Sequence, residues 1–239
     1  MQDKINFSQI PAIILSGGLG KRIRGEIGEE IPKPMAPING KPFLEHLLRY
    51  IMGFGIEEVI LLCGYKHNKI VEYFQDGSKL NLKIGYSIEK KPLGTGGAII
   101  NALDKIQHDK FIVFNGDSIF KANLQKFVKH HFQKKNVATL ALKEIEDCSR
   151  YGSAIMRRGK IIKYVEKNNN SNGVISAGVY LLEKNVLSNF FESEYPLSFE
   201  YDIIPYLIEN KNLSGKIMEG DFIDIGIPET YRIAGKFVV

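Results

Sequence analysis

Apolar and polar positions follow two rhythms along this chain. Ala12-Ile13-Ile14-Leu15 is an unbroken apolar run, as expected of a strand buried on both faces. Residues 42–51, PFLEHLLRYI, instead space their apolar members as one face of a helix, with Pro42 at its first turn and Gly53 and Gly55 beyond its end. The same two patterns then alternate. Residues 58–64 predict a second buried strand, 68–75 a second helix and 82–88 a third strand. A loop over 89–97 leads into a helix at 98–106, and the strand 111–114 ends at Asn115-Gly116-Asp117. Apolar strands alternating with amphipathic helices predict an α/β domain, a mostly parallel sheet with helices on both faces. Ligands on such sheets sit beyond the carboxyl ends of the strands. Three segments fall at that edge: the turn after Leu15, the loop around Gly94, and Asp117.

The texture changes near residue 135. An amphipathic helix at 124–133 is followed by strands at 138–143, 153–156 and 160–165. A polar turn spans 168–173, another strand 174–182, and a helix with Ser198 at its N-cap runs over 198–209. Residues 216–225 read as a strand and 228–237 as a closing helix. Strands without helices between them predict a mixed, partly antiparallel extension of the same sheet. The expectation is one domain with two lobes, 1–135 and 136–239. No internal repeat is visible.

At 239 residues the chain suits one sizeable domain, and 44% hydrophobic with 25% charged residues is an ordinary globular balance. Net charge is +5, but the basic residues are scattered and lack the interleaved aromatics of a nucleic-acid stripe. No nucleic-acid partner is therefore expected. The absence of an ~18-residue apolar run gives no expectation of a membrane span, and MQDKINFSQIP lacks the apolar core of a signal peptide. Cys63 and Cys148 lie far apart without C-x-x-C spacing, and read as free thiols in a reducing compartment. His46, His67, His108, His130 and His131 show no zinc spacing. These features predict a cytoplasmic protein.

Chemistry concentrates after the first strand, in Ser16-Gly17-Gly18-Leu19-Gly20-Lys21-Arg22, with Lys33 following between Pro32 and Pro34. Glycines let backbone N–H groups approach a ligand closely, and Arg22 and Lys33 add two cations, a combination suited to a polyphosphate. A P-loop would need Gly at Leu15 and Ser or Thr at Arg22, and a dinucleotide fingerprint would need a small residue at Ile23. Neither fits. Two carboxylates also stand out. Asp117 ends a strand as Asn-Gly-Asp, and Asp224 lies among apolar neighbours in FIDIG, where a buried carboxylate usually has a cation as partner. Converging, they could hold one Mg²⁺ through oxygen ligands. Apart, Asp117 would be a turn residue and Asp224 the acid of a salt bridge.

With these residues in hand, the chain resembles the sugar-1-phosphate nucleotidyltransferases. Within them it is most similar to the D-glycero-D-manno-heptose 1-phosphate guanylyltransferases. The resemblance covers residues 12–235 through LSGGLGKRIR, KPMAPINGKPFLEHLL, EKKPLGTGGAI, VFNGDSIF, SRYGSA, YVEKN, SAGVYLL, SFEYDIIP and FIDIGIPETY. It departs at Lys21, where Thr is more frequent, at Ser118, and at Asn168, where Pro is frequent. The resemblance implies a single-domain Rossmann-like nucleotidyltransferase fold with a small sugar-binding lobe. It also implies GTP or another NTP and a sugar 1-phosphate as substrates, and Mg²⁺ as cofactor. The product implied is GDP-heptose, destined for a bacterial surface glycan.

Roles follow by motif. Arg22 and Lys33 would be catalytic cations. Leu15, Ser16, Gly17, Gly18, Gly20 and Lys21 would bind the nucleotide, joined by Gly94, Thr95, Asn115 and Gly116. Gly152, Glu166, Lys167 and Gly178 match sugar phosphate-binding positions, and Asp117 and Asp224 the metal positions. Glu200 reads better as a first-turn helix acid than as a site residue. Three alternatives remain open: a mannose-1-phosphate guanylyltransferase, another NDP-sugar pyrophosphorylase, and a non-catalytic binding protein on the same fold. Assembly into a homo-oligomer is left open as well.

Overall fold

A computed structural model of the protein describes residues 5–18, 20–166 and 172–238. In the first half β1 (Ala12–Leu15) is followed by a short helix α1 (Arg24–Ile27), the small hairpin β2 (Pro37–Ile38) and β3 (Lys41–Pro42), and α2 (Phe43–Met52). Then come β4 (Glu58–Cys63), α3 (His67–Phe74), β5 (Lys83–Ile88), α4 (Gly94–Asn101) and β6 (Lys110–Asn115). The second half runs through β7 (Ser118–Phe120), α5 (Leu124–Gln133), β8 (Ala138–Ile145), β9 (Gly152–Arg157), β10 (Lys160–Glu166) and β11 (Gly173–Glu183). It ends with α6 (Ile204–Glu209), β12 (Leu213–Ile217), β13 (Phe222–Asp224) and α7 (Pro228–Phe237).

Nine of these strands form one sheet in the order β5-β4-β1-β6-β11-β8-β12-β10-β9. The first four are parallel, and β11 runs antiparallel between β6 and β8. The mixed sheet foreseen from the strand pattern is thus present and continuous. After β1 the chain moves outward to β4 and β5, then crosses back to place β6 on the other side of β1. This reversal is the topological switch point at which α/β sheets open a crevice. Leu15 and Asn115, the last residues of β1 and β6, lie side by side there.

Successive residues of the central strands serve opposite faces. Ile14 joins a core with Leu44, Leu47, Leu48 and Ile51 of α2, Phe74 of α3 and Phe127 of α5. Ile13 joins a second core with Ile99 of α4, Val113 of β6 and Ile204 and Leu207 of α6. Each fully buried aliphatic side chain contributes roughly 1.5–3 kcal/mol. The long apolar runs of β1, β4 and β6 therefore reflect burial on both faces.

Three elements depart from the pattern-based expectation. The segment 89–97 is not all loop, and the helix does not run over 98–106, because α4 already starts at Gly94. Its first-turn amides, on Gly96 and Gly97, donate to the Leu197 carbonyl at 2.9 and 3.0 Å, so a distant loop caps the helix. No local capping side chain marks the start. The strand expected over 216–225 is two strands, β12 and β13, separated around Gly220. There φ is +146° and a side chain would meet the Lys121 carbonyl at 2.5 Å. The helix expected from Ser198 begins as a wide turn. Ile203 N–H bonds Ser198 O five residues back, before α6 proper starts at Ile204, and Ser198 Oγ does accept the Tyr201 amide at 3.1 Å. The turn expected at 168–173 lies mostly outside the described residues.

His131 of α5 is fully buried, with Nδ1 against Thr139 Oγ1 at 2.9 Å and Nε2 without a partner among the described residues. Burial pushes its pKa down to about 4 from 6.5. The folded state thus favours the neutral ring, and stability is full above the unfolded value and is lost as pH falls from about 6.5 towards 4. His131→Leu is expected to flatten that decline. Thermal midpoints of both proteins measured across pH 7 to 4.5 would show parallel slopes if the ring were not held neutral.

Candidate active site

A cleft of about 340 Å³ opens at the switch point. Its floor is the end of β1 and β6, with Leu15, Asn115 and Asp117, and Gly17 and Gly18 lie along the loop that follows β1. Leu93, Gly94, Thr95 and Ala98 form the opposite wall. The three segments anticipated at the sheet edge therefore meet in one cavity.

Backbone geometry explains the glycines. Gly116 donates its amide to the Leu15 carbonyl at 2.9 Å, and a side chain there would lie 2.5 Å from that oxygen. Gly94 has φ +77°, and its missing side chain would collide with Leu197 O at 2.4 Å. Both are close approaches that only Gly allows. Gly20, at φ +61°, sits with its absent Cβ 2.9 Å from Lys33 Cβ. The glycine loop thus packs directly on the stem of Lys33.

Four charged residues converge beside the cleft. Lys33 is buried and ion-paired to Asp117. Pairing of β13 with β7 sets Asp224 opposite Ser118, and Ile225 N–H donates to Asp117 O at 2.9 Å, so the two acids leave adjacent strands. At Gly226 a built Cβ would lie 2.5 Å from Asp224 Oδ1, 3.5 Å from Arg22 Nη2 and 3.6 Å from Lys33 Nζ, which puts all three groups around one point. Arg22 itself is exposed, its guanidinium turned towards this cluster.

Other anticipated residues are placed differently. Ser16 turns away, its hydroxyl donating to Leu62 O at 2.8 Å with 1% of the residue exposed. Its contribution is structural, since it ties the loop to β4. Gly116 acts on the Leu15 carbonyl, and Lys21 points to solvent. Gly178, at φ +69° in a register shift of β11, packs against Asn115 Nδ2 and Ser118 Oγ, supporting the Asp117 turn. Gly152 pairs with Glu166 across β9 and β10, and its missing side chain leaves room for the Tyr164 hydroxyl. Lys167 and Leu19 lie outside the described residues.

Several cleft residues escaped the motif reading. Glu200 lines the cleft and accepts from Thr95 Oγ1 at 2.7 Å, which corrects its reading as a helix acid alone. Glu89 lines it too, with Oε2 accepting the Leu93 amide at 3.0 Å. Cys63 is a wall residue whose thiol burial pushes up to about 11, so it remains protonated. Asp224 is met by Arg150 and by the Tyr151 hydroxyl. Burial and that acid raise the phenol's pKa, keeping Tyr151 a hydrogen-bond donor. The segment SRYGSA contained both residues, but nothing local pointed to a partner more than 70 positions away.

A family model described as Nucleotidyl transferase matches residues 11–239. The chain belongs to the nucleotidyl transferase family. It is 44% identical over 226 residues to the D-glycero-alpha-D-manno-heptose 1-phosphate guanylyltransferase of Aneurinibacillus thermoaerophilus, covering 94% of this chain and 96% of that protein. A protein of the same name from Campylobacter jejuni is also 44% identical, with 92% of this chain and 96% of that protein covered. Among solved structures, HddC from Yersinia pseudotuberculosis complexed with GMP-PN superposes with a TM-score of 0.84 at 35% identity. That match covers 96% of this chain and all of that one. In this nucleotidyl transferase the cleft and the charged cluster therefore lie on a scaffold shared along nearly its whole length.

Gly20→Ala is expected to push Lys33 aside as well as to strain the turn. Turnover should fall by at least ~10-fold, while the strain of one left-handed non-glycine residue, about 1–2 kcal/mol, lowers stability only modestly. Steady-state rates and melting curves on one preparation check the split; an unchanged rate would separate the loop from Lys33.

Proposed function

We propose that the protein transfers a guanylyl group from GTP to D-glycero-α-D-manno-heptose 1-phosphate, giving GDP-heptose and pyrophosphate. The observation that carries the reaction type is the convergence of Arg22, Lys33, Asp117 and Asp224 beside one cleft. The substrates rest on the full-length 44% identity to the two heptose 1-phosphate guanylyltransferases.

A sugar phosphate oxygen attacks the α-phosphorus, the bond from that phosphorus to the bridging oxygen breaks, and pyrophosphate leaves with the electron pair. The attacking phosphate is already ionised near neutral pH, so no general base is needed. Catalysis is then positioning and charge neutralisation. Backbone amides of Gly17, Gly18, Gly20 and Lys21 and the Arg22 guanidinium hold the terminal phosphates and steady the leaving group. Lys33 faces the α-phosphate. Leu15, Gly17 and Gly94 border the base and ribose, with Thr95 and Asn115 beside them. Glu89 offers a carboxylate suited to the two adjacent N–H donors of a guanine edge. By motif, Gly152, Glu166, Lys167 and Gly178 would serve the sugar phosphate.

The two acids fit a divalent cation of the Mg²⁺ kind. They are oxygen donors on adjacent strands, and Mg²⁺ is usually held by one or two carboxylates together with substrate phosphates. When bound, the ion would neutralise phosphate charge and orient the two substrates. The nucleotide substrate suits a cytoplasmic setting, as do the two buried cysteines, Cys63 and Cys148, which are not joined in a disulfide.

Pyrophosphate release with Mg²⁺ tests the substrates, crossing GTP, CTP, UTP, ATP and dTTP against heptose 1-phosphate and mannose 1-phosphate. Release is expected with GTP and the heptose. Another productive pair would change the product, and silence in every combination would overturn the reaction. Lys33→Ala should reduce kcat by ~10²–10³, the loss typical of one preorganised charge donor. A variant that merely melted earlier, at an unchanged rate, would make Lys33 structural.

A further inference from the structure

Asp224 is held by more donors than its orientation requires. Its strand is in register with β7, and the Gly226 amide donates to Oδ1 at 2.8 Å. The Tyr151 hydroxyl donates to Oδ2. These contacts aim the carboxylate before Arg150 is considered. Arg150 nevertheless reaches it from the segment between β8 and β9, with Nη2 3.0 Å from Oδ1 and 2.7 Å from Oδ2.

The form of that contact is informative. One nitrogen straddles both oxygens, instead of the two parallel N–H···O bonds that a guanidinium fork can make. Arg150 Nε is buried and has no hydrogen-bond partner among the described residues, so one of its donors goes unmet. Nη2 also touches the Tyr151 hydroxyl at 3.1 Å, and the guanidinium lies 5.1 Å from the centre of the same ring. The Arg150 side chain is 31% exposed, so it has room to leave. A buried ion pair kept for stability would be expected to satisfy its donors and seal itself from water. This one does neither.

We propose that Arg150 is an exchangeable counter-cation of Asp224, which a divalent cation must displace to reach the carboxylate. The inference rests on the reading of Asp224 as a metal carboxylate. Arg150 balances the charge of an acid that lies beside Asp117 and would otherwise repel it, until the competing cation arrives. Arg150 is thus a positioning residue that sets the metal concentration at which the site fills. Lys33 stands in the same relation to Asp117, but it is buried and its stem is packed by Gly20, so Arg150 is the less enclosed of the two cations.

Mn²⁺ alone, counted by the loss of its free electron paramagnetic resonance signal, provides the test on the intact protein without turnover. Arg150→Met, which keeps an extended stem and removes the charge, is expected to bind Mn²⁺ about five- to tenfold more tightly, as for the loss of one partly exposed ion pair. Arg150→Lys should stay near the parent protein, because it restores the cation. Asp224→Asn should abolish the tightened site in the Arg150→Met background. The Mg²⁺ concentration giving half-maximal rate should fall in Arg150→Met in step. A merely structural arginine predicts unchanged or weaker binding on its removal. That result, with Asp224→Asn still impairing binding, overturns the exchange and leaves the metal reading standing. Undiminished binding in Asp224→Asn overturns the metal reading and the exchange together.

Discussion

The amide of Gly116 reaches the carbonyl of Leu15 across the ends of β6 and β1, and much of the molecule is arranged by that contact. It ties together the two turns that leave the sheet at its switch point. One carries the glycine loop towards Arg22 and Lys33, the other delivers Asp117. Because β1 is flanked by β4 on one side and β6 on the other, no helix crosses the gap between these turns, and the cleft opens there. The approach leaves no space for a side chain on Gly116. Asn115-Gly116-Asp117 is therefore dictated by packing as much as by chemistry, and Asp117 is set against Lys33 as a result.

Charge at this edge is balanced pairwise. Each acid has a cation from a different part of the chain: Lys33 for Asp117, and Arg150 for Asp224. Isolated carboxylates in such a half-buried place would carry a desolvation penalty and repel one another. Pairing removes both difficulties. It also means that anything binding there enters by exchange of partners. Triphosphate oxygens can take over the cations while a metal takes over the carboxylates, so the total charge separation changes little on binding. Hydrogen bonds from Tyr151 and Gly226 to Asp224 keep the geometry during such an exchange.

Much of the fold was legible because its signals are local. Apolar runs of strand length and helical periodicity bounded by Gly and Pro led to β1, β4, β6, α2, α5 and α7 with ends displaced by only a residue or two. What failed locally was supplied from far away. α4 begins earlier than its side chains suggest because Leu197 provides the cap, and the break between β12 and β13 arises where Gly220 meets Lys121. At the site, Arg22, Lys33, Asp117 and Asp224 could be picked out, since glycine loops and isolated acids in apolar company are conspicuous. Arg150 and Glu200 were not, because an arginine in a polar turn and a glutamate in a first helical turn look ordinary until their partners are known. Ser16 shows the opposite error: within a nucleotide-binding motif, it serves the sheet.

The cap on α4 has a consequence for where negative charge can settle. The amino end of a helix is ordinarily an attractive berth for phosphate, since its free amides and dipole both favour an anion. Here the Leu197 carbonyl is seated on the amides of Gly96 and Gly97, so that pole is already quenched. The wall built by α4 has this pole covered and carries the Glu89 and Glu200 carboxylates beside it, a surface better matched to a flat heterocycle than to a phosphate chain. The same plug that shortens the loop thus polarises the cleft, giving an incoming nucleotide one way round.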